Sequence, residues 1–354
     1  MRKRIKQILA GALCFGLAIS DKSALSLGEI NMDKVTVQAA ENVSDITIDG
    51  NNINKENKNG LTYKGFGLLT ANSTSDLLMD YKAEHPEKYV EMLQYLFGGS
   101  KPLMTHVKIE MGNDRNNSTG AESCTMRTED ETANVKRNAG FQLAADAKKI
   151  NPNIKISILR WNTPKWANTT EKQYKWYKNT IMAAYETYGY MVDYINPNRN
   201  EAWSDKTDTE NVKKFAKWIQ EENSDTIKDA KALDLYKKIK FIVSDEAEMI
   251  AKTAVNALYT DEEYKNAVAA IGWHYPYSVA SKSRDGADIL TKDDIIKIAD
   301  EMDKEVWNSE NQAVFSDSAF RPANNTTFKD DSGNVIADSS GLGGTGSALE
   351  MGNY

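Results

Sequence analysis

The sequence is short of the residues that staple or metallate a fold. It has two cysteines in 354 residues, Cys14 and Cys124. Cys14 lies in an N-terminal segment that reads as removable, so Cys124 has no partner in the mature chain and a disulfide framework is excluded. The three histidines, at 85, 106 and 274, show no metal-ligand spacing, and neither a metal nor another cofactor is expected. An excess of basic residues is missing as well. The formal net charge is -7, which argues against a nucleic-acid partner. A phosphate-binding glycine loop after the first strand is also absent, because Gly65, Phe66 and Gly67 do not form one. Residues 341–346 match G-x-G-x-x-G, but no strand precedes them and only eight residues follow, so they are discounted as a dinucleotide site.

The N-terminus is different in kind from the rest. Arg2, Lys3, Arg4 and Lys6 form a basic head, 8–19 is apolar, and Val37, Gln38, Ala39 and Ala40 supply a small-x-small cleavage pattern. We read 1–39 as a secretory signal peptide, which places the mature protein outside the cell. The alternative, a membrane anchor, needs about 20 apolar residues, more than the run provides. No stable membrane insertion is expected after cleavage. Residues 40–60 are polar and Asn-rich and read as a linker or edge segment.

From 61 onward the chain alternates. Strand-like runs at 63–70, 105–111, 154–159, 192–195, 240–244, 268–273 and 306–309 are separated by helical periodicities. Those helices fall over 75–96, 134–150, 173–188, 209–221, 246–258 and 292–303. Seven strands, six of them followed by a helix, predict parallel connections: an α/β fold, a (β/α)8 TIM barrel over 61–354. The eighth strand and closing helix are not seen, so the barrel reads as incomplete at the C-terminus. Asp245 and Glu246, like Asp261 to Glu263, are read as helix N-terminal charge.

In such a barrel the working residues sit just after the strands. Arg160 and Trp161, Asn200 and Glu201, His274 and Tyr275, and Glu310 occupy those places. Two carboxylates at strand ends can hydrolyse a glycosidic bond, one donating a proton to the leaving oxygen and the other attacking the anomeric carbon. Asn200 can hydrogen-bond a ring hydroxyl, Trp161 can offer a flat apolar face, and His274 with Tyr275 can reach the nucleophile. The plainer alternative is that Glu201 and Glu310 are surface carboxylates among 51 acidic residues.

A long, ordered set of motifs sharpens this reading. It comprises Gly65-Phe66-Gly67, Asp76 to Leu78, Tyr95 to Phe97, Lys108-Ile109-Glu110, Asn151 to Asn153, Trp161 to Trp166, Asp193 to Ile195 and Asn200-Glu201. Further on come Ser244-Asp245, Ile271-Gly272, His274 to Pro276, and Trp307 with Ser309-Glu310. In this order they resemble glycoside hydrolase family 59, the galactosylceramidase family. The resemblance implies Glu201 as acid/base, Glu310 as nucleophile, and Asn200 and Trp161 as substrate contacts. It places Ser118 where the family has a sugar-binding threonine. One departure is that Arg199 stands where the family carries a tryptophan ahead of the acid/base, in a loop one residue longer. The family's eighth strand, β-sandwich and lectin-like domain, with a further sugar-binding arginine, lie beyond this chain's match, which suggests truncation.

The expected activity is a retaining hydrolase that removes β-linked galactose from a glycolipid or glycan. The alternatives are a truncated barrel remnant that binds carbohydrate without cleaving it, or a two-glutamate barrel hydrolase acting on galactan or xylan. A carbohydrate or glycolipid substrate is the one partner implied, and oligomeric state is not legible.

Overall fold

A computed structural model of the chain describes residues 63–115, 121–200, 206–246, 251–274, 297–298, 300–310, 328–329 and 335–337. These belong to one compact unit spanning Glu56–Tyr354. Seven strands form one sheet: β1 (Phe66–Thr70), β2 (Met104–Glu110), β3 (Lys155–Leu159), β4 (Tyr194–Ile195), β5 (Lys240–Glu246), β6 (Val268–His274) and β7 (Glu305–Glu310). They pair in sequential order, and every neighbouring pair is parallel. Between them run α1 (Thr74–Glu84), α2 (Pro86–Phe97), α3 (Ala139–Ile150), α4 (Thr170–Tyr188), α5 (Lys206–Glu221), α6 (Ala230–Tyr236), α7 (Ala251–Thr260) and α8 (Glu262–Ala267). Residues 297–298 and 300–302 are also helical. The result is a nearly closed β/α barrel. A separate antiparallel pair, β8 (Phe328–Lys329) and β9 (Val335–Ala337), follows in the chain.

The two faces of each strand explain the layering. On β2, Val107 and Ile109 point to the helices and join one large core with Phe141, Trp176, Tyr177 and Phe215. Alternate residues His106, Lys108 and Glu110 therefore point into the barrel, because side chains alternate along a strand. Small apolar clusters fill the rest of that interior: Ala71, Leu159 and Trp161 near one end, and Tyr194, Ile242 and Ala270 further in. Lys64 and Glu305, 3.9 Å apart, bring the lead into β1 close to the start of β7.

All seven expected strands are present, with boundaries shifted by up to three residues. The helices differ more. The expected helix over 75–96 is two, divided at His85 and Pro86, since proline starts a helix readily and cannot sit inside one. Ser73 holds the N-cap position of α1 without a side-chain cap bond, and Ser75 is buried. Two short helices, α6 and α8, fall outside the expected helical spans. Each is capped by an aspartate: the Asp229 carboxylate accepts from Ala232 N at 2.8 Å, and Asp261 from Tyr264 N at 2.9 Å. Asp261 is thus helix N-terminal charge, as read. Asp245 is not, and this corrects the expectation: it lies in β5, fully buried, with a left-handed backbone at φ 58°.

Candidate active site

The ends of β4, β5 and β7 converge through polar side chains that are themselves buried. The loop after β4 is held first. Tyr177 Oη donates to Asn196 O at 2.6 Å, and Asn196 Oδ1 accepts from Asn198 N at 3.0 Å. Asn198 Nδ2 donates to Asp208 O at 3.0 Å, and Asn198 Oδ1 accepts from Asn211 Nδ2 at 3.0 Å. The Arg160 guanidinium, from the end of β3, donates to Pro197 O at 3.1 Å and Gln173 Oε1 at 3.0 Å. Its pKa is lowered by burial. Asn200 N donates to Arg160 O at 2.8 Å. The stretch after β4 is therefore a buried, hydrogen-bonded frame, with Asn196 Nδ2 and Arg160 Nε the two side-chain atoms in it that lack a partner.

Asn200 is 1% exposed. The surrounding donors and acceptors assign its amide nitrogen toward β5, where it donates to Asp245 Oδ2 at 2.9 Å and to Asp245 O at 2.8 Å. Its oxygen accepts from Trp161 Nε1 at 3.3 Å. Asp245 is paired with Lys108 Nζ of β2 at 2.6 Å, and the same ammonium donates to Ser309 O at 3.2 Å. Ser309 precedes Glu310, which ends β7 and is buried. Ser244 and Asp245 both have positive φ, 67° and 58°, where the register of β5 with β6 slips by one residue. A bulge of this kind re-aims side chains at a strand end.

Below this layer sits His106. Burial and the Lys108 charge push its pKa down to about 4, so the ring is neutral at ordinary pH. It shares a hydrogen bond of 2.8 Å with Ser157 Oγ and packs against Tyr194 and Trp307. At the rim, the turn after β1 presents main-chain donors from Asn72 and Ser73, both left-handed at φ 53° and 60°. Asn72 N donates to Glu110 Oε2 at 2.8 Å and Ser73 N to Glu122 Oε2 at 2.9 Å. Both carboxylates are buried, and burial raises Glu122 to about 7.

Of the residues singled out from sequence, Asn200, Trp161 and Glu310 lie at the C-terminal ends of β4, β3 and β7, as a barrel site requires. Asn200 and Trp161 touch. His274 is the last residue of β6 and is the register partner of Glu310. Glu201, Ser118 and Tyr275 lie outside the described residues. Lys108 entered the sequence reading only as family motif, and Asp245 as family motif and as helix N-terminal charge. The signal that finds Lys108 is a cation on the barrel-facing side of β2. Among the described residues no group of His, Cys, Asp and Glu could hold a metal ion, and no helix is long and apolar enough to cross a membrane. Cys124 is free and buried, its thiol pushed up to about 11 by burial. A cavity of about 670 Å³ opens at the other end of the strands, where Lys155 and Lys240 begin β3 and β5. Asp193 is the one carboxylate in its lining, so it lacks the acid pair that glycoside hydrolysis needs.

Comparison with known proteins agrees with this geometry. The sequence model of "Glycosyl hydrolase family 59" matches residues 63–333. Galactocerebrosidase of Danio rerio is 27% identical over 269 residues, covering 73% of this chain and 35% of that protein. Galactocerebrosidase of Homo sapiens is 27% identical over 266 residues, covering 70% and 35%. A putative galactocerebrosidase of Caenorhabditis elegans is 32% identical over 157 residues, covering 44% and 22%. The match thus spans about a third of the length of the Danio rerio and Homo sapiens proteins and less of the Caenorhabditis elegans one. Among solved structures, an endo-beta1,6-glucanase aligns with a TM-score of 0.50 at 16% identity, over 71% of this chain and 58% of that one, which supports the barrel fold.

Proposed function

The chain belongs to glycosyl hydrolase family 59, and from that premise we propose that it is a retaining glycosidase that removes β-linked galactose. What carries the reading is one observation: Asn200, after β4, and the Ser309 carbonyl, next to Glu310 on β7, are joined through one buried Lys108–Asp245 pair. Asn200 is followed directly in the sequence by Glu201, the second carboxylate of this reading.

In this reading the Glu310 carboxylate attacks the anomeric carbon. The bond from that carbon to the leaving oxygen breaks, and Glu201 gives its proton to that oxygen. Glu201, now a base, takes a proton from water, whose oxygen attacks the same carbon and releases Glu310 as carboxylate. Configuration is kept because the carbon is inverted twice. Trp161 flanks the sugar face, and Ser118, His274 and Tyr275 complete the contacts. Support for galactose comes from the galactocerebrosidase relatives. The N-terminal pattern supports secretion with cleavage near Ala39, which N-terminal sequencing of the exported protein checks.

The test is hydrolysis of an aryl β-galactoside by the chain beside Glu201→Gln and Glu310→Gln, with the product anomer read by NMR. Each variant should lose about 10³-fold or more in kcat, in line with losing a proton-transfer group or a nucleophile. The first product should be the β-anomer. An α-anomer would exclude retention, and faster turnover of β-xyloside or β-glucoside would move the specificity away from galactose.

A further inference from the structure

We propose that Lys108 and Asp245 are positioning residues that fix the Asn200 amide with its nitrogen turned inward, so that Asn200 meets a sugar hydroxyl as a hydrogen-bond acceptor. The inference deepens the glycosidase reading above and, for its catalytic consequence, rests on it. A primary amide nitrogen carries two hydrogens, and its oxygen has two lone pairs. In Asn200 both hydrogens go to one residue, to Asp245 Oδ2 at 2.9 Å and to Asp245 O at 2.8 Å. The oxygen accepts one bond, from Trp161 Nε1 at 3.3 Å. One lone pair is what Asn200 has left to offer.

The orientation is imposed rather than chosen. An ionised carboxylate and a carbonyl can only accept, so the amide must turn its nitrogen to Asp245. Lys108, 2.6 Å away, supplies the counter-charge that a carboxylate with no solvent exposure requires. Asp245 offers side chain and carbonyl together from a left-handed backbone that few non-glycine residues adopt. The Lys108 ammonium also donates to Ser309 O at 3.2 Å, so the support of Asn200 and the strand end that carries Glu310 share one anchor. A hydroxyl that donates to Asn200 is held; a group that can only accept is not.

Two measurements on the whole chain test this. In the first, asparagine is labelled with ¹⁵N, and the Asn200 side-chain amide is identified by its loss in Asn200→Ala. In the wild type its two protons should exchange with solvent at least about tenfold more slowly than those of an exposed asparagine. In Asp245→Asn, and in Lys108→Met should the first variant not fold, that protection should fall. Free exchange in the wild type, or protection untouched in both variants, would overturn the proposal without reference to catalysis.

The second measurement is kcat/KM for an aryl β-galactoside and its 2-deoxy analogue, because the 2-hydroxyl is the one whose hydrogen bond strengthens in the transition state. Asp245→Asn should lose about 10²-fold on the galactoside, the scale of a misplaced contact. It should lose far less on the 2-deoxy analogue, whereas general loosening of the fold would lower both alike. Combined with Asn200→Ala it should cost little more than Asn200→Ala alone; losses that multiply would show Asp245 acting elsewhere. If the wild type hydrolyses no glycoside, the glycosidase reading fails, and the amide exchange still decides the orientation.

Discussion

Glu122 is a carboxyl buried where little neutralises it. Burial raises its pKa to about 7, the Ser73 and Ser123 main-chain N–H groups pull it down, and Glu110 and Asp76 push it back up. In the unfolded chain it returns to about 4.5. Between those values the folded state holds a proton that the unfolded state has lost, so this group makes stability fall as pH rises. Its benefit is whole below about pH 4.5 and gone above about 7. Integrated over that window the change is on the order of 2–3 kcal/mol. Urea unfolding between pH 4.5 and 8 should show this fall in the wild type and a shallower one in Glu122→Gln. An identical profile would assign the trend to other groups. Asp146 works in the opposite sense at lower pH: burial opposes its ionisation, but Lys82 and Lys149 outweigh that and hold its pKa down.

At the scale of elements, helix and strand ends set the site. Asn138 caps α3 by accepting from Gly140 N at 3.0 Å, and its Nδ2 donates to Glu110 O at 2.8 Å, tying the helix to the end of β2. Asn138→Ala removes a cap and leaves a buried carbonyl short of a partner, and should cost about 2–3 kcal/mol in urea unfolding. On β6, a Cβ added at Gly272 would lie 2.8 Å from Ser309 Oγ and 3.2 Å from Asp245 Oδ1. Gly272→Ala should therefore destabilise by about 1–3 kcal/mol. It should also lower kcat/KM on an aryl β-galactoside, because the displaced atoms are the supports of Asn200 and Glu310. Stability loss without any change in kcat/KM would show that β6 can yield without moving the site. The elements themselves were legible because their causes are local: strand alternation and helical spacing are written within ten residues. Asn200 and Glu310 were legible as the ends of such runs. Asp245 was not, since an acidic pair ahead of a helical stretch reads as helix N-terminal charge. What buries it is Lys108, 137 positions away in sequence, and no local pattern records that pairing. Lys108 itself left a trace, a cation alternating with Val107 and Ile109 on a strand whose other face is core.

For the molecule as a whole, the Lys108–Asp245 pair is a strut. It runs from β2 to β5, and through Ser309 O to β7, so three non-adjacent strands of the barrel meet at one ammonium. A buried ion pair is poor evidence of net stability, because the desolvation of both charges offsets their attraction. Removing one partner is a different matter, since it leaves the other charge buried and unpaired. Asp245→Asn keeps a residue that tolerates the left-handed backbone and should still cost about 3–5 kcal/mol. Adding Lys108→Met removes the orphaned charge and should recover most of that loss, leaving the double variant within about 2 kcal/mol of wild type. Activity should not return with stability, because the amide of Asn200 has lost the carboxylate that turned it inward. Urea unfolding and kcat/KM measured on the same three proteins separate the two effects. A double variant no more stable than Asp245→Asn would mean that the barrel does not depend on the charge balance of this pair. A double variant as active as wild type would mean that the pair serves the fold alone.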